Sequence, residues 1–401
     1  MTRSTIPAVC CLLVAAIASA DDGAWPGFHG PGRNGVARSA PELVDALPKE
    51  MKPAWEVLTI ADGKPATHTS PVCSDSVAVL HTCVEKRQKQ DNGKMRKFNE
   101  EVLVGVSLAD GKQLWRIEHP GKSYNTPVLA GGKLYYVRGD GHLACIDAAK
   151  GTELWTCRVQ KGGTNSSPAI AAGVVIVNAG RDLVAVDLDT RKVRWKVEVK
   201  NWNNSPAVWT HDGKQYVLTG NEEIVCVDAK EGTKLWTMPG TKLKKDPASV
   251  AIHGDRMAVL WEGMGLHVFE LSLKGAKKIA TCEAFVPNTG GAHQATTPVF
   301  DGRHVYAVDK KKTFCFDAEK DEVVWEGPKG DPHPSPILAD GKLIVNNKRS
   351  LMLLDAKTGK QLGEEPRIDS AGCSSCAFSG GKLLVNEGRS FRCYDFSKDS
   401  N

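Results

Sequence analysis

The stretch CIDAAKGTELW, residues 145–155, sets a small residue, an Asp two places on, a Gly four further and a Trp at its end. The pattern returns as AVDLDTRKVRW at 185–195 and as CVDAKEGTKLW at 226–236. Trp115, Trp155, Trp195 and Trp236 are thus 40, 40 and 41 residues apart, and Trp325 follows after 89, two periods with a small insertion. Asp147, Asp187, Asp228 and Asp317 each stand eight residues before their tryptophan, with Ser107 in that place before Trp115. A third marker is a proline after a small polar residue, at Ser70-Pro71, Thr126-Pro127, Ser167-Pro168, Ser205-Pro206, Thr297-Pro298 and Ser335-Pro336. Pro247 after Asp246 and Ser375-Cys376 complete that series. Three phases locked near 40 residues define an internal repeat.

Within one unit a short run from Pro127 meets a turn at Gly131-Gly132, Lys133 to Val137 alternates as a strand, His142 to Asp147 forms a third and Glu153 to Trp155 a fourth. The Gly-Gly and Asp-Gly pairs supply the positive φ that tight hairpins need. No segment has the 3.6-residue apolar period of a long helix. The reading is an all-β, eight-bladed β-propeller of four-stranded antiparallel blades, with units beginning near residues 69, 125, 166, 204, 245, 296, 334 and 374. The eighth unit ends before its outer strand, while Ala54-Trp55-Glu56-Val57 stands alone ahead of the first. The N-terminal strand is therefore expected to complete the last blade and close the ring, leaving no free sheet edge. Blade five has Glu270 and Lys278 where Asp and Trp belong, and blade seven keeps Asp355 but has Gly363 in place of Trp. Blade one carries about 15 extra residues by the blade-repeat count, with a basic hairpin of Lys86, Arg87, Lys89, Lys94, Arg96 and Lys97.

The chain has 401 residues, 41% hydrophobic and 25% charged, which excludes disorder and collagen-like structure. A net charge of +5, mixed along the chain, is too mild to imply nucleic acid as a partner. Arg3, the apolar run Ile6 to Ile17 and Ala18-Ser19-Ala20 read as a secretory signal peptide cleaved after Ala20. No stretch is long enough for a membrane helix, and no cysteine follows the cleavage site to carry a lipid. The expected layout is a signal peptide at 1–20, a lead-in at 21–52 and the propeller at 53–401, exported to the periplasm or beyond.

The spacing of small residue, Asp, Gly and Trp resembles the tryptophan-docking motif of the pyrroloquinoline quinone (PQQ) repeat family, over essentially all of residues 53–401. The resemblance implies that the tryptophan of one blade, at 55, 115, 155, 195, 236 or 325, packs on the next blade while Asp and Gly shape the receiving turn. The segment Trp25-Pro26-Gly27-Phe28-His29-Gly30-Pro31 is similar to the mature N-terminus of secreted bacterial propellers of this kind. Quinoprotein dehydrogenases of the family carry a vicinal disulfide and a calcium held by Glu, Asn and Asp. After the signal no two cysteines here are adjacent, and Cys373-Ser374-Ser375-Cys376 is followed by Ala377 where haem attachment would need His. The non-catalytic branch, typified by the BamB subunit of the outer-membrane assembly machinery, matches better in size.

Ten cysteines remain after the signal. Cys145, Cys226, Cys315 and Cys393 occupy a place where other blades have Gly105, Ala185, Val268 and Leu353, and so are expected to be buried packing residues. Cys73 with Cys83, and Cys373 with Cys376, are the candidate disulfides, and no metal site is expected. The residues three places before each marker proline or, in the eighth unit, Cys376, namely His68, Tyr124, Asn165, Asn203, Lys244, Ala295, His333 and Cys373, should ring one mouth of the channel, with Trp202 and His293 close by. Polar and aromatic groups at a concave mouth suit a ligand or a protein partner. No nucleophile triad, paired-carboxylate set or phosphate loop is present, and no catalytic residue is assigned.

The expected protein is thus a monomeric, non-catalytic binding or assembly scaffold of the cell envelope, with no cofactor. One alternative is a PQQ- and calcium-dependent alcohol or sugar dehydrogenase. Another is a carbohydrate-binding envelope protein using Trp202, Tyr124 and Trp209 as stacking surfaces.

Overall fold

A four-stranded unit of this length cannot bury a core alone, so each must stack its faces on two neighbours. In a computed structural model of the chain, residues 24–66, 68–199, 204–220, 222–240, 249–261, 264–283, 296–309, 311–347, 349–369 and 372–398 are described. They form eight antiparallel sheets whose innermost strands neighbour one another around a ring. The signal peptide lies outside the described residues.

The repeat residues explain the stacking. Each docking tryptophan lies directly across from the small residue of its own blade: Trp155 opposite Cys145, Trp195 opposite Ala185, Trp236 opposite Cys226, Trp325 opposite Cys315 and Trp55 opposite Cys393. At Gly105, opposite Trp115, a Cβ would come within 2.1 Å of the indole, so bulk there is excluded. The expected packing role of Cys145, Cys226, Cys315 and Cys393 holds, and all are buried. The indole then crosses to the next blade. Trp115 Nε1 donates to Ala148 O at 2.8 Å, Trp195 to Ala229 O, Trp236 to Ser272 O, Trp325 to Ala356 O and Trp55 to Leu108 O. Gly111, Gly151, Gly232 and Gly359 receive Trp55, Trp115, Trp195 and Trp325 with positive φ, and a Cβ on any of them would meet the ring below 3 Å. The Asp of each unit accepts two backbone N–H groups of the same turn, as Asp147 does from Ala149 and Lys150. Asp187, Asp228 and Asp317 do likewise.

Closure is as expected. Trp55–Leu58 pairs antiparallel with Ser390–Asp395, joining residues 332 to 338 apart into one blade. Two blades depart from four strands. Blade one gains Lys64–Ala66 beside the long hairpin of Val77–Lys89 and Met95–Ser107. Blade seven has three strands, its outer edge reduced to a bridge between Leu354 and Gln361. There Leu47 of the lead-in exchanges hydrogen bonds with Leu362 and Glu364, and Gly363 makes room for it: a Cβ would lie 2.2 Å from Leu47 O.

The Ser/Thr-Pro marker has a role visible only in three dimensions. The backbone N–H at each marker position donates to the equivalent hydroxyl of the next blade: Ser70 to Thr126, Thr126 to Ser167, Ser167 to Ser205, Ser205 to Ser249, so that in blade five Ser249 holds the place that spacing gave to Asp246 before Pro247. Beyond one joint the series resumes from Thr297 to Ser335, Ser335 to Ser375 and Ser375 back to Ser70. All these residues are buried, so the belt satisfies N–H groups that would otherwise be stranded at the channel wall.

Neither expected disulfide forms, which corrects that reading: all ten described cysteines are free thiols. Cys73 lies across from Ala78, five residues along the strand from Cys83, or roughly 17 Å at the strand rise and far beyond bridging reach. Cys376 sits against the Asn346 amide, while Cys373 is only partly buried.

Candidate binding face

The channel has two different ends. The lead-in fills one of them. Trp25 bridges Cys73 of blade one, Pro26 O accepts the Leu129 N–H of blade two, and Arg33 donates to Pro168 O of blade three. The chain then crosses to the far wall, where Asn34 and Phe300 exchange hydrogen bonds and Gly35 and Ala37 bond Leu338. His29 Nε2 lies 2.9 Å from Pro298 O, and burial lowers its pKa to about 4, with the Arg33 charge acting the same way and the carbonyl bond opposing. Desolvation also lowers Arg33, to about 10. A cavity of about 660 Å³ remains beside this segment, lined in part by Arg33, Arg38, Gln215 and His253.

The described residues of the row that sequence spacing put at the mouth, His68, Tyr124, Asn165, His333 and Cys373, precede the belt by two positions, so they lie on its other side from the lead-in. His68 and Asn165 are exposed, and Tyr124 and His333 are half-buried. His68 and Tyr124, from adjacent blades, meet edge to face with centroids 4.8 Å apart, and Lys122 Nζ stands 5.1 Å from the Tyr124 ring. The Tyr124 N–H donates to Thr164 O, which carries the row to Asn165. His333 Nδ1 is 2.6 Å from Asp331 Oδ1. Burial, helped by the Asp331 charge, pushes the Cys373 thiol up to about 11. The structure thus joins His68 to Tyr124, and places Asp331 against His333 and near Cys373. Trp202, Asn203, Lys244 and His293 lie outside the described residues. Trp209 is no stacking surface: it is fully buried, and its Nε1 donates to Asp255.

Sequence reasoning passed over one cluster. His81, Cys83 and Glu101 are buried between blades one and two with a ligand atom from each within 4.8 Å of the others, the only such His/Cys/Asp/Glu grouping among the described residues. Burial lowers the His81 pKa, but the neighbouring Cys83 and Glu101 outweigh this and raise it to about 10. The detectable signal was His-x-Cys on one strand, since such residues share a face. These nitrogen and sulfur donors do not suit calcium, which takes six to eight oxygens. A calcium-supported quinone therefore does not fit this group.

A family model described as outer membrane protein assembly factor BamB matches residues 98–201 and 145–362. The assembly factor BamB of Moranella endobia is 26% identical over 268 residues, 62% of this chain and 60% of that protein. BamB of Burkholderia pseudomallei is 29% identical over 264 residues, 60% of this chain and 66% of that one. The chain thus spans less than two thirds of the length of these curated relatives. Among solved structures, BamB from Moraxella catarrhalis superposes with a TM-score of 0.63 at 12% identity, covering 87% of this chain and 98% of that one. The quinohemoprotein alcohol dehydrogenase of Comamonas testosteroni superposes at 0.69 and 15% identity, covering 96% and 82%; at such identities the likeness is one of fold. With a matching family model that spans most of the repeats, the chain belongs to the BamB family of PQQ-like β-propellers.

Proposed function

We propose that this protein is an exported, monomeric and non-catalytic scaffold that binds a protein partner in the assembly of outer-membrane proteins, the role its relatives' name gives them. The observation that carries the reading is the asymmetry of the channel. One end is filled by the chain's own lead-in, whereas the other presents His68, Tyr124 and Asn165 beside Lys122. Half-exposed aromatic groups with a polar surround are what a protein interface uses as anchors. A photo-crosslinker at Tyr124 should capture a component of the outer-membrane assembly machinery, and one at Lys230, on an outer turn, should not. Paired His68→Ala and His333→Ala substitutions should weaken that capture about tenfold, a loss near 1.4 kcal/mol. Unchanged capture would remove this face from the reading.

The dehydrogenase alternative has likeness of fold in its favour. Retention of PQQ absorbance after dialysis with calcium, together with dye reduction by an alcohol or sugar, would establish it.

A further inference from the structure

We infer that His81, Cys83 and Glu101 form a binding site for a zinc-class divalent ion, set in blade one against blade two. His81 and Cys83 lie two residues apart on the strand Val77–Lys89, hence on one face, and Glu101 is directly across from Cys83 on the neighbouring strand. The three side chains are at most 1% exposed. Burying three such groups together is costly unless something satisfies them.

Most of their outer atoms are satisfied from blade two, in a way that leaves the inner ones bare. His81 Nδ1 is 2.9 Å from Asn125 O, which keeps a proton on Nδ1 and turns Nε2 inward, where an ion would displace its proton to solvent. Glu101 Oε2 accepts the Gly139 N–H at 3.0 Å. A metal-binding imidazole ordinarily donates its other N–H to a carbonyl, and a ligating carboxylate is ordinarily hydrogen-bonded, so both supports take the form a metal requires. The remaining atoms, His81 Nε2 and Glu101 Oε1, are buried with no hydrogen-bond partner, as is the phenol oxygen of Tyr136, whose ring lies 5.2 Å from His81. Nε2 and Oε1 are 3.8 Å apart, too far for a hydrogen bond. Two ligands each about 2.1 Å from one zinc stand roughly 3.5 Å apart, so a small contraction closes the site. The mixture of imidazole, thiolate and a carboxylate selects zinc over calcium or magnesium.

On binding, the Cys83 thiol, which now donates to Ser123 O at 3.0 Å, releases its proton to solvent and its sulfur turns to the ion. A water takes the fourth position and hydrogen-bonds Tyr136. Ser123 and Asn125 flank Tyr124, so the ion would pin the rim of the binding face to the first blade.

The test uses the full chain, stripped of metal and then given zinc or cobalt(II) chloride. One zinc per chain should survive dialysis and raise the melting temperature, and cobalt should show a thiolate charge-transfer band. Cys83→Ser should abolish the band and Glu101→Gln should weaken zinc retention by at least about tenfold, while Cys376→Ser, at another buried thiol, should change neither. Failure of the unsubstituted chain to retain zinc would overturn the site and leave the orphan atoms to a buried water. A cobalt band that persists in Cys83→Ser would overturn it equally. Because the unsubstituted protein alone decides stoichiometry, a variant that does not fold leaves the test intact.

Discussion

The joint between blades one and two and the joint between blades seven and eight meet the same need with different parts of the chain. At the first, Trp115 lies on Gly151 and donates to Ala148 O, all within one repeat period. At the second no tryptophan exists. Gly363 stands in its place, and Leu47 and Leu43 of the lead-in run past the outer edges of both blades, bonding Leu362 and bridging Ser397. Leu43, Val44 and Leu47 are buried in the same cluster as Phe391 and Phe396. Repeat-encoded docking is local and reproducible, whereas the substitute comes from some 300 residues away and depends on the ring being closed. The joint between blades five and six falls between these cases. It lacks a tryptophan, and its receiving turn carries Asp321 at φ 57 rather than Gly. A glycine is needed there only where an indole lands.

Four experiments would break or sharpen this contrast. The largest effect should come from deleting residues 53–57, which removes Trp55 and the pairing with Arg392 and Cys393. The melting temperature should fall by more than about 10 °C, or the protein should aggregate through its freed edge. An unchanged transition would refute closure by this strand.

Next, Trp115→Ala should cost about 3–5 kcal/mol and Leu47→Ala about 2–4 kcal/mol in urea unfolding, as core truncations do. If Leu47→Ala cost nothing, the lead-in would be an ornament rather than the missing outer element.

The third effect depends on pH. His29 is held neutral in the folded chain down to about pH 4, whereas the unfolded chain takes up a proton near the ordinary histidine value of 6.5. The unfolded state therefore binds more protons between these values, so this contribution is fully present above pH 6.5 and is lost as pH falls toward 4. Its size is on the order of 3 kcal/mol. Acid unfolding of His29→Gln should lack this slope, while Trp115→Ala should keep it.

The smallest effect concerns Trp155, which is only partly buried although it belongs to the repeat pattern. Its receiving turn has Arg191 at φ 61, where blades one, two, four and seven use Gly. Arg191→Gly should relieve backbone strain by about 0.5–1 kcal/mol and let the indole settle, seen as a blue shift of tryptophan emission. No gain in stability would mean that Trp155 docks as well as its counterparts.

The docking tryptophans, their small cross-strand partners and the turn aspartates were legible because each acts within one blade and its neighbour, at a spacing written into the chain. Within the mouth row His68 and Tyr124 meet, and no spacing could say that Asp331 would take up His333. The candidate Cys73–Cys83 pair failed because neighbouring strands do not imply neighbouring positions along them. His81 and Glu101 carried no signal in the repeat, since other blades have no equivalent group.

What the sequence determined by itself is the number of blades, the joints and the closing strand, because a period of 40 residues with a fixed indole site admits one packing of neighbours. What only the tertiary structure decided is how that ring is finished. The belt of Ser and Thr hydroxyls and the lead-in across the channel join residues from different blades or from distant segments. Their partners are set by ring closure, and distance along the chain carries no record of it.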